Sequence, residues 1–166
     1  GFFFKGLKII VVGGGDTAME EANFLTKFAS EVTIVHRRGE FRASKIMTER
    51  AQKNPKIKFL TNKTVKEVVG VEENRKKSMT GVILEDTKDH SLTELKVDGM
   101  FLGIGHQPNT KLFKGFLDMD ETGYLITKPG STHTNIEGVF VSGVIADHVY
   151  RQAVTAACTG CMAALD

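Results

Sequence analysis

The sequence predicts an α/β fold built on a parallel, doubly wound sheet, and three observations carry that prediction. An apolar strand beginning at Lys8 runs straight into a glycine loop and then a helix. A β-branched run, Glu31–Val35, follows that helix, and a second helical stretch leads to a third apolar run, Ile57–Leu60. Strand–helix–strand units repeated in this way place helices over a parallel sheet, because a parallel return requires a crossover connection.

The first junction, Lys8 to Glu21, organises the rest. Gly13-x-Gly15-x-x-Ala18 matches the G-x-G-x-x-G/A pattern, in which the first glycine makes the tight turn, the second lets backbone approach a pyrophosphate and the last small residue lets helix pack on strand. Amides at the helix N-terminus then face the anion. Alone, the pattern also fits an ordinary glycine turn, the less favoured of the two readings. The helix, expected over Asp16–Ala29, carries Ala18, Ala22, Leu25 and Phe28 on one face, with Glu20, Glu21 and Lys27 for the wet side.

The end of the second strand decides between the two readings. An NAD site usually places an acidic residue there, roughly 20 residues past the glycines, to bind ribose hydroxyls. Here the strand ends in His36-Arg37-Arg38, with Arg42 following. Guanidinium groups bind a 2′-phosphate through charge-assisted, often bidentate hydrogen bonds, whereas a carboxylate repels it. The cofactor expected is therefore NADP(H). Hydrogen bonds to charged groups contribute about 1.5–3 kcal/mol each, so two give a preference of roughly two to four powers of ten. The bland alternative is a solvated basic turn.

The second helix is expected from Arg42 to Lys53, stopped by Asn54-Pro55. From Thr64 the pattern changes. Thr64–Val69, Thr80–Asp86 and Leu92–Val97 read as short strands with no helix between them, an antiparallel meander. Glu72-Glu73-Asn74-Arg75-Lys76-Lys77 reads as a solvated turn without function. Gly99–Gly105 returns to buried-strand composition and closes a Rossmann-like three-layer domain over residues 1–105. The polar, proline-bearing His106-Gln107-Pro108-Asn109-Thr110 marks a boundary. Beyond it, strands are expected at Gly123–Thr127 and Val139–Val141, with a turn at Pro129-Gly130, and a small-residue helix at Tyr150–Leu165. So short a tail needs a partner or packs on the first domain.

Composition narrows the classes. The 166 residues mix charges to a net +2, giving no basic field for nucleic acid. Two cysteines are too few for a secreted disulfide framework. No apolar run approaches a membrane span, and Gly1-Phe2-Phe3-Phe4 has the wrong length and flanks for a signal peptide. The expected location is cytoplasmic. A start without methionine leads us to expect a fragment of something longer. Cys158-Thr159-Gly160-Cys161 invites a redox reading, but the pair lies inside a helix, away from the N-terminal or cationic settings that generate thiolates. Buried, unreactive thiols are expected. His133 and Asp147-His148 lack the spacing of a zinc site and are read as surface or hydrogen-bonded residues.

Taken in order, Val12–Ala18, His36–Ala43, Gly103–Thr110 and Tyr150–Ala157 resemble the bacterial-type, low-molecular-weight NADPH-dependent thioredoxin reductases, of the pyridine nucleotide-disulfide oxidoreductase family, across essentially all 166 residues. The resemblance implies an NADPH domain, residues 1–105, inserted within an FAD domain whose C-terminal portion is residues 106–166. It implies a homodimer that passes electrons from NADPH via FAD and a protein dithiol to thioredoxin. Carried over, Gly13, Gly14, Gly15, Asp16, Thr17 and Ala18 hold the pyrophosphate, and Arg37, Arg38 and Arg42 hold the 2′-phosphate, with His36 beside them. Gly105 belongs to the cofactor-contacting set at the linker. Gly143, Arg151, Gln152 and Ala153 lie along the flavin side.

The family's redox Cys-x-x-Cys and acid directly precede the Gly-Phe-Phe with which this sequence opens. No catalytic residue is expected within it, and alone it is not expected to reduce thioredoxin. Two departures fall inside the chain: Val144 stands where the family has an aspartate that bonds the flavin's ribityl chain, and Cys158 where it has glycine. Loss of a buried polar partner costs roughly 1–3 kcal/mol. A second reading, suggested by Val144, is a non-catalytic NADP(H)-binding module or a relic of a truncated reductase gene. A ferredoxin–NADP reductase-like or peroxiredoxin-reducing flavoprotein fits Ala43-Ser44-Lys45 and the helix from Tyr150 less well.

Overall fold

Residues 1–73 and 75–166 are described by the computed structural model. Four strands, β1 (Lys8–Gly13), β2 (Glu31–His36), β3 (Ile57–Thr61) and β7 (Gly99–Gly103), form a parallel sheet in the order β3-β2-β1-β7. Between β3 and β7, strands β4 (Lys63–Glu73), β5 (Lys76–Asp86) and β6 (Leu92–Leu95) form an antiparallel meander. Helices α1 (Asp16–Leu25) and α2 (Lys45–Gln52) connect the first three parallel strands.

The side-chain alternation of β1 and β2 builds three layers. Ile9, Val11, Val32 and Ile34 point to one face and pack with Ala18, Met19, Ala22 and Leu25 of α1 and Ala51 of α2. Ile10 and Val35 point to the other and pack with Val82, Leu84 and Val97 of the meander region. Both sheet faces are thus covered, which is why these strands read as unbroken apolar runs. Each such fully buried aliphatic contributes about 1.5–3 kcal/mol.

Strands β6 and β7 end at Leu95 and Gly103 rather than at Val97 and Gly105, and three further boundaries differ from the sequence expectation for local reasons. Helix α1 stops at Leu25 rather than Ala29, since Lys27 and Phe28 amides donate to the carbonyls three residues back and Lys56 Nζ donates to the carbonyls of Thr26 and Ala29 at 2.9 and 3.3 Å. Helix α2 begins at Lys45 rather than Arg42, because the intervening amides donate elsewhere. The expected turn at residues 72–77 is narrower, as the β4–β5 ladder pairs Glu72 with Lys77 and Glu73 with Lys76. Asn74 of that turn lies outside the described residues.

The chain divides into two compact units, Gly1–Gly105 and His106–Asp166. The second has a small core of Leu117, Leu125 and Val141 with Met119, Val139, Ile145 and Ala146 around it. Strands were expected at Gly123–Thr127 and Val139–Val141, but among the described residues there are only isolated bridges, including Met119 with Leu125 and His133 with Phe140. Gly123 turns the chain at φ +90 and Asp120 accepts the amides of Thr122 and Tyr124, while the Leu125 and Ile126 amides donate to Ile145 and Asp118, so the segment's bonds go to different partners instead of forming one ladder. Helix α3 (Ala153–Leu165) starts three residues later than expected. The Asp147 carboxylate takes the amides of Val149, Tyr150 and Arg151, and Arg151 sits at φ +52.

Candidate functional site

At β1 the strand order reverses. The chain leaves β1 to build β2 and β3 on one side and returns as β7 on the other. In open α/β sheets the crevice outside the carboxyl ends of the strands, at such a reversal, is where ligands bind. A cleft of about 800 Å³ opens there.

Its floor is the glycine loop, Val12–Thr17, facing Leu102–Gly105 at the end of β7. Close packing explains the residues. A Cβ on Gly13 would run into the Gly103 carbonyl, and one on Gly103 would stand 2.8 Å from the Ala18 Cα. Ala18 is fully buried and does not line the cleft; it is the small residue on which helix and strands close. Gly15 differs, with nothing within 4 Å of where a Cβ would be, so a ligand can meet bare backbone. Gly15 also caps α1 with no side-chain hydrogen bond, leaving the first-turn amides for an anion.

The wall is the segment after β2. His36, Arg37, Arg38 and Arg42 line the cleft. The three arginines are exposed, and none is in an ion pair with a carboxylate among the described residues. His36 is buried, its ring lying where a Gly14 Cβ would be, stacked against Phe41 and bonded through Nε2 to the Glu40 carbonyl at 3.0 Å. Burial pushes the imidazole pKa below its ordinary value, against an opposing pull from the Glu40 carbonyl, with the neighbouring arginines adding to the lowering. His36 therefore supports the arginine segment as a neutral ring. That segment is tied at both ends. The Arg38 carbonyl accepts the Asn62 amide at 3.2 Å and the Arg37 carbonyl the Thr87 hydroxyl at 3.2 Å, while the Arg42 and Ala43 amides donate to the Gly14 carbonyl at 2.7 and 3.0 Å.

Sequence reasoning missed the third side of the cleft. Lys63, Thr64 and Val65 line it from the start of β4, and Met100, Leu102 and Ile104 from β7 and its end. The β7 residues could have been found from the topology, since a last parallel strand beside β1 must border the crevice. Lys63, held to Asp86 at 2.8 Å, carries no motif.

Gly143, Arg151, Gln152 and Ala153 belong to the second unit and are not part of this cleft. Gly143 has φ +84 and donates its amide to Thr159 Oγ1 at 2.9 Å. Val144 beside it is 42% exposed and has no polar side-chain atom. The donors needed for an anion and the open backbone are thus present for a dinucleotide phosphate in the first unit, whereas position 144 has no acceptor for a flavin's hydroxylated chain. Cys158 and Cys161 were expected to be buried but are exposed, because no residue of α3 is buried by the chain. His133 packs on Phe140 and His148 on Tyr124, and no group of three metal-binding side chains occurs among the described residues.

Among known proteins, the chain is 55% identical over 166 residues to a thioredoxin reductase of Streptomyces clavuligerus, covering all of this chain and 50% of that protein. It is 50% identical over the same length to the thioredoxin reductase of Rickettsia prowazekii, covering 53% of it. Thioredoxin reductase structures from Streptococcus pyogenes and Giardia duodenalis superpose with TM-scores of 0.81 and 0.78 at 36% and 38% identity, over 99% and 98% of this chain and 52% of each of theirs. The chain spans about half the length of the curated relatives it matches. The pattern of the family described as pyridine nucleotide-disulphide oxidoreductase matches residues 4–160, and with that match lying over the cleft and the sheet that forms it, the chain belongs to that family.

Proposed function

We propose that residues 1–105 are an NADP(H)-binding domain and residues 106–166 the C-terminal portion of an FAD-binding domain. One observation carries this reading. Three exposed arginines with no carboxylate partner among the described residues stand on one wall of a cleft whose floor is an uncapped helix N-terminus and a glycine open to solvent. Two anion sites in one crevice match the two anionic groups of a 2′-phosphorylated dinucleotide, its bridging pyrophosphate and its 2′-phosphate. Gly13–Thr17 bind the pyrophosphate, with Ala18 closing the helix against the sheet. Arg37, Arg38 and Arg42 bind the 2′-phosphate, His36 supports them, and Gly105 borders the nicotinamide side. The bound cofactor supplies hydride; the chain supplies orientation and selectivity.

The whole protein is proposed to be an NADPH-dependent disulfide reductase acting on thioredoxin, a homodimer in the cytoplasm, as the similarity to thioredoxin reductases supports. Gly143 and Arg151–Ala153 are the proposed flavin-side residues. Val144 offers no acceptor to a flavin polyol. That same valine favours the second reading, a non-catalytic NADP(H)-binding module.

Titration of the chain with NADPH, NADH and FAD separately tests the proposal. NADPH should bind more tightly than NADH by roughly two powers of ten or more, and Arg37→Ala with Arg38→Ala should remove most of that difference. Equal losses for both nucleotides contradict the assignment. FAD uptake by the chain alone contradicts the reading of Val144.

A further inference from the structure

Asp16 is out of place as a phosphate neighbour. It lines the cleft at the start of α1, where its charge opposes an anionic ligand. Its hydrogen bond gives it another role. Oδ1 accepts the Ser44 amide at 2.8 Å, across 28 residues of sequence. The two preceding amides, of Arg42 and Ala43, donate to the Gly14 carbonyl. Three consecutive backbone donors from the arginine segment are therefore held by the glycine loop, and only after them does α2 begin. Two of those bonds end on a backbone carbonyl that every sequence has. The third depends on the side chain at position 16.

We infer that Asp16 is a positioning residue for cofactor selectivity. Its carboxylate fixes the arginine segment against the glycine loop, setting the separation between the pyrophosphate amides and the guanidinium groups. The inference rests on the NADP(H) reading of the cleft and deepens it. Its signature is in the ratio of NADPH to NADH affinity. Removing the Asp16 charge eases repulsion of the pyrophosphate, which both nucleotides share, so that effect cancels in the ratio. Loosening the arginine segment acts on the 2′-phosphate, which only one of them has.

Three variants of the full chain separate these effects in titrations with NADPH and NADH. Asp16→Asn keeps an oxygen acceptor and drops the charge. Asp16→Ala removes both. Ser44→Pro removes the donor, and the Ser44 backbone at φ −57 already suits a proline ring. Asp16→Ala and Ser44→Pro should each lower the NADPH:NADH ratio by roughly tenfold, the equivalent of one hydrogen bond to a charged group. The double variant should fall no further, because both changes break the same bond. Asp16→Asn should shift both affinities together and leave the ratio within about twofold. An Asp16→Ala chain that keeps the wild-type ratio, with its circular dichroism unchanged, overturns the inference. A wild-type chain without preference overturns the NADP(H) reading itself, a different result from the first.

Discussion

The two units of this chain solve the problem of burial differently. In Gly1–Gly105 the central strands have side chains packed on both faces, and Ile9, Ile10, Val11, Val32, Ile34 and Val35 are essentially inaccessible. In His106–Asp166 the core is Leu117, Leu125 and Val141, and helix α3, rich in apolar residues, has none fully buried. A cleft with defined walls needs the first kind of scaffold, because ligand-contacting loops hold their geometry only when the elements beneath them are packed. The difference teaches where a function of this chain can reside on its own.

Core truncations break the comparison most directly. Ile34→Ala should destabilise the first unit by about 2–5 kcal/mol and, through the strand that ends in His36 and leads into Arg37, abolish most NADPH binding. Leu125→Ala should leave NADPH affinity within about twofold, since that side chain belongs to the other unit. Thermal unfolding and titration of both variants check this, and comparable losses of binding would mean that the cleft depends on both units.

A smaller change acts on the joint between the loops. Gly14→Ala drives a methyl group into the His36 ring. Overpacking of this kind costs about 1–3 kcal/mol, and the strain falls on the element that supports the arginines. NADPH affinity should drop by roughly tenfold, more than that of NADH. Equal drops would assign Gly14 to the pyrophosphate alone.

Much of the first unit is legible from residues because the information is local. The β-branched run at Val32–Val35, the glycine spacing and Ala18 each specify their own neighbourhood: the run forms β2, Gly13 and Gly103 sit in close contact, and Ala18 packs helix on strand. The start of α2 is not legible, because the amides of Arg42, Ala43 and Ser44 are claimed by Gly14 and Asp16, some 28 residues earlier in the last case. Lys63 borders the cleft because β4 starts two residues past the carboxyl end of β3, a position that its residue type does not mark. In the second unit, Gly123–Thr127 has strand composition but no ladder, since its successive amides go to different partners, Tyr124 to Asp120, Leu125 to Ile145 and Ile126 to Asp118. The exposure of Cys158 and Cys161 reflects what covers a helix, which composition does not encode.

The pH dependence sharpens the comparison further. Burial keeps the His36 pKa below the imidazole's ordinary 6.5. As pH falls through about 6.5 the unfolded chain takes up a proton that the folded first unit refuses, so stability declines, and the decline ends once pH passes below the lowered folded value. In His36→Gln this component of the decline should be lost in urea titrations between pH 7.5 and 5, values chosen to bracket that imidazole range. An unchanged slope would mean that another group titrates. The smallest effect concerns α3. Both Cys158 and Cys161 should react with a thiol reagent in the native chain at rates near those of the unfolded one, given their exposure. Thiols that react only after denaturation would show that α3 has a partner surface.

A crystal structure of the chain grown with NADPH tests the central claim most directly. The claim requires the pyrophosphate at the amides following Gly14 and the 2′-phosphate within hydrogen-bond distance of Arg37 or Arg38, with the Asp16–Ser44 bond intact. Adenosine bound at another place, or arginines turned into solvent around an ordered 2′-phosphate, contradicts it.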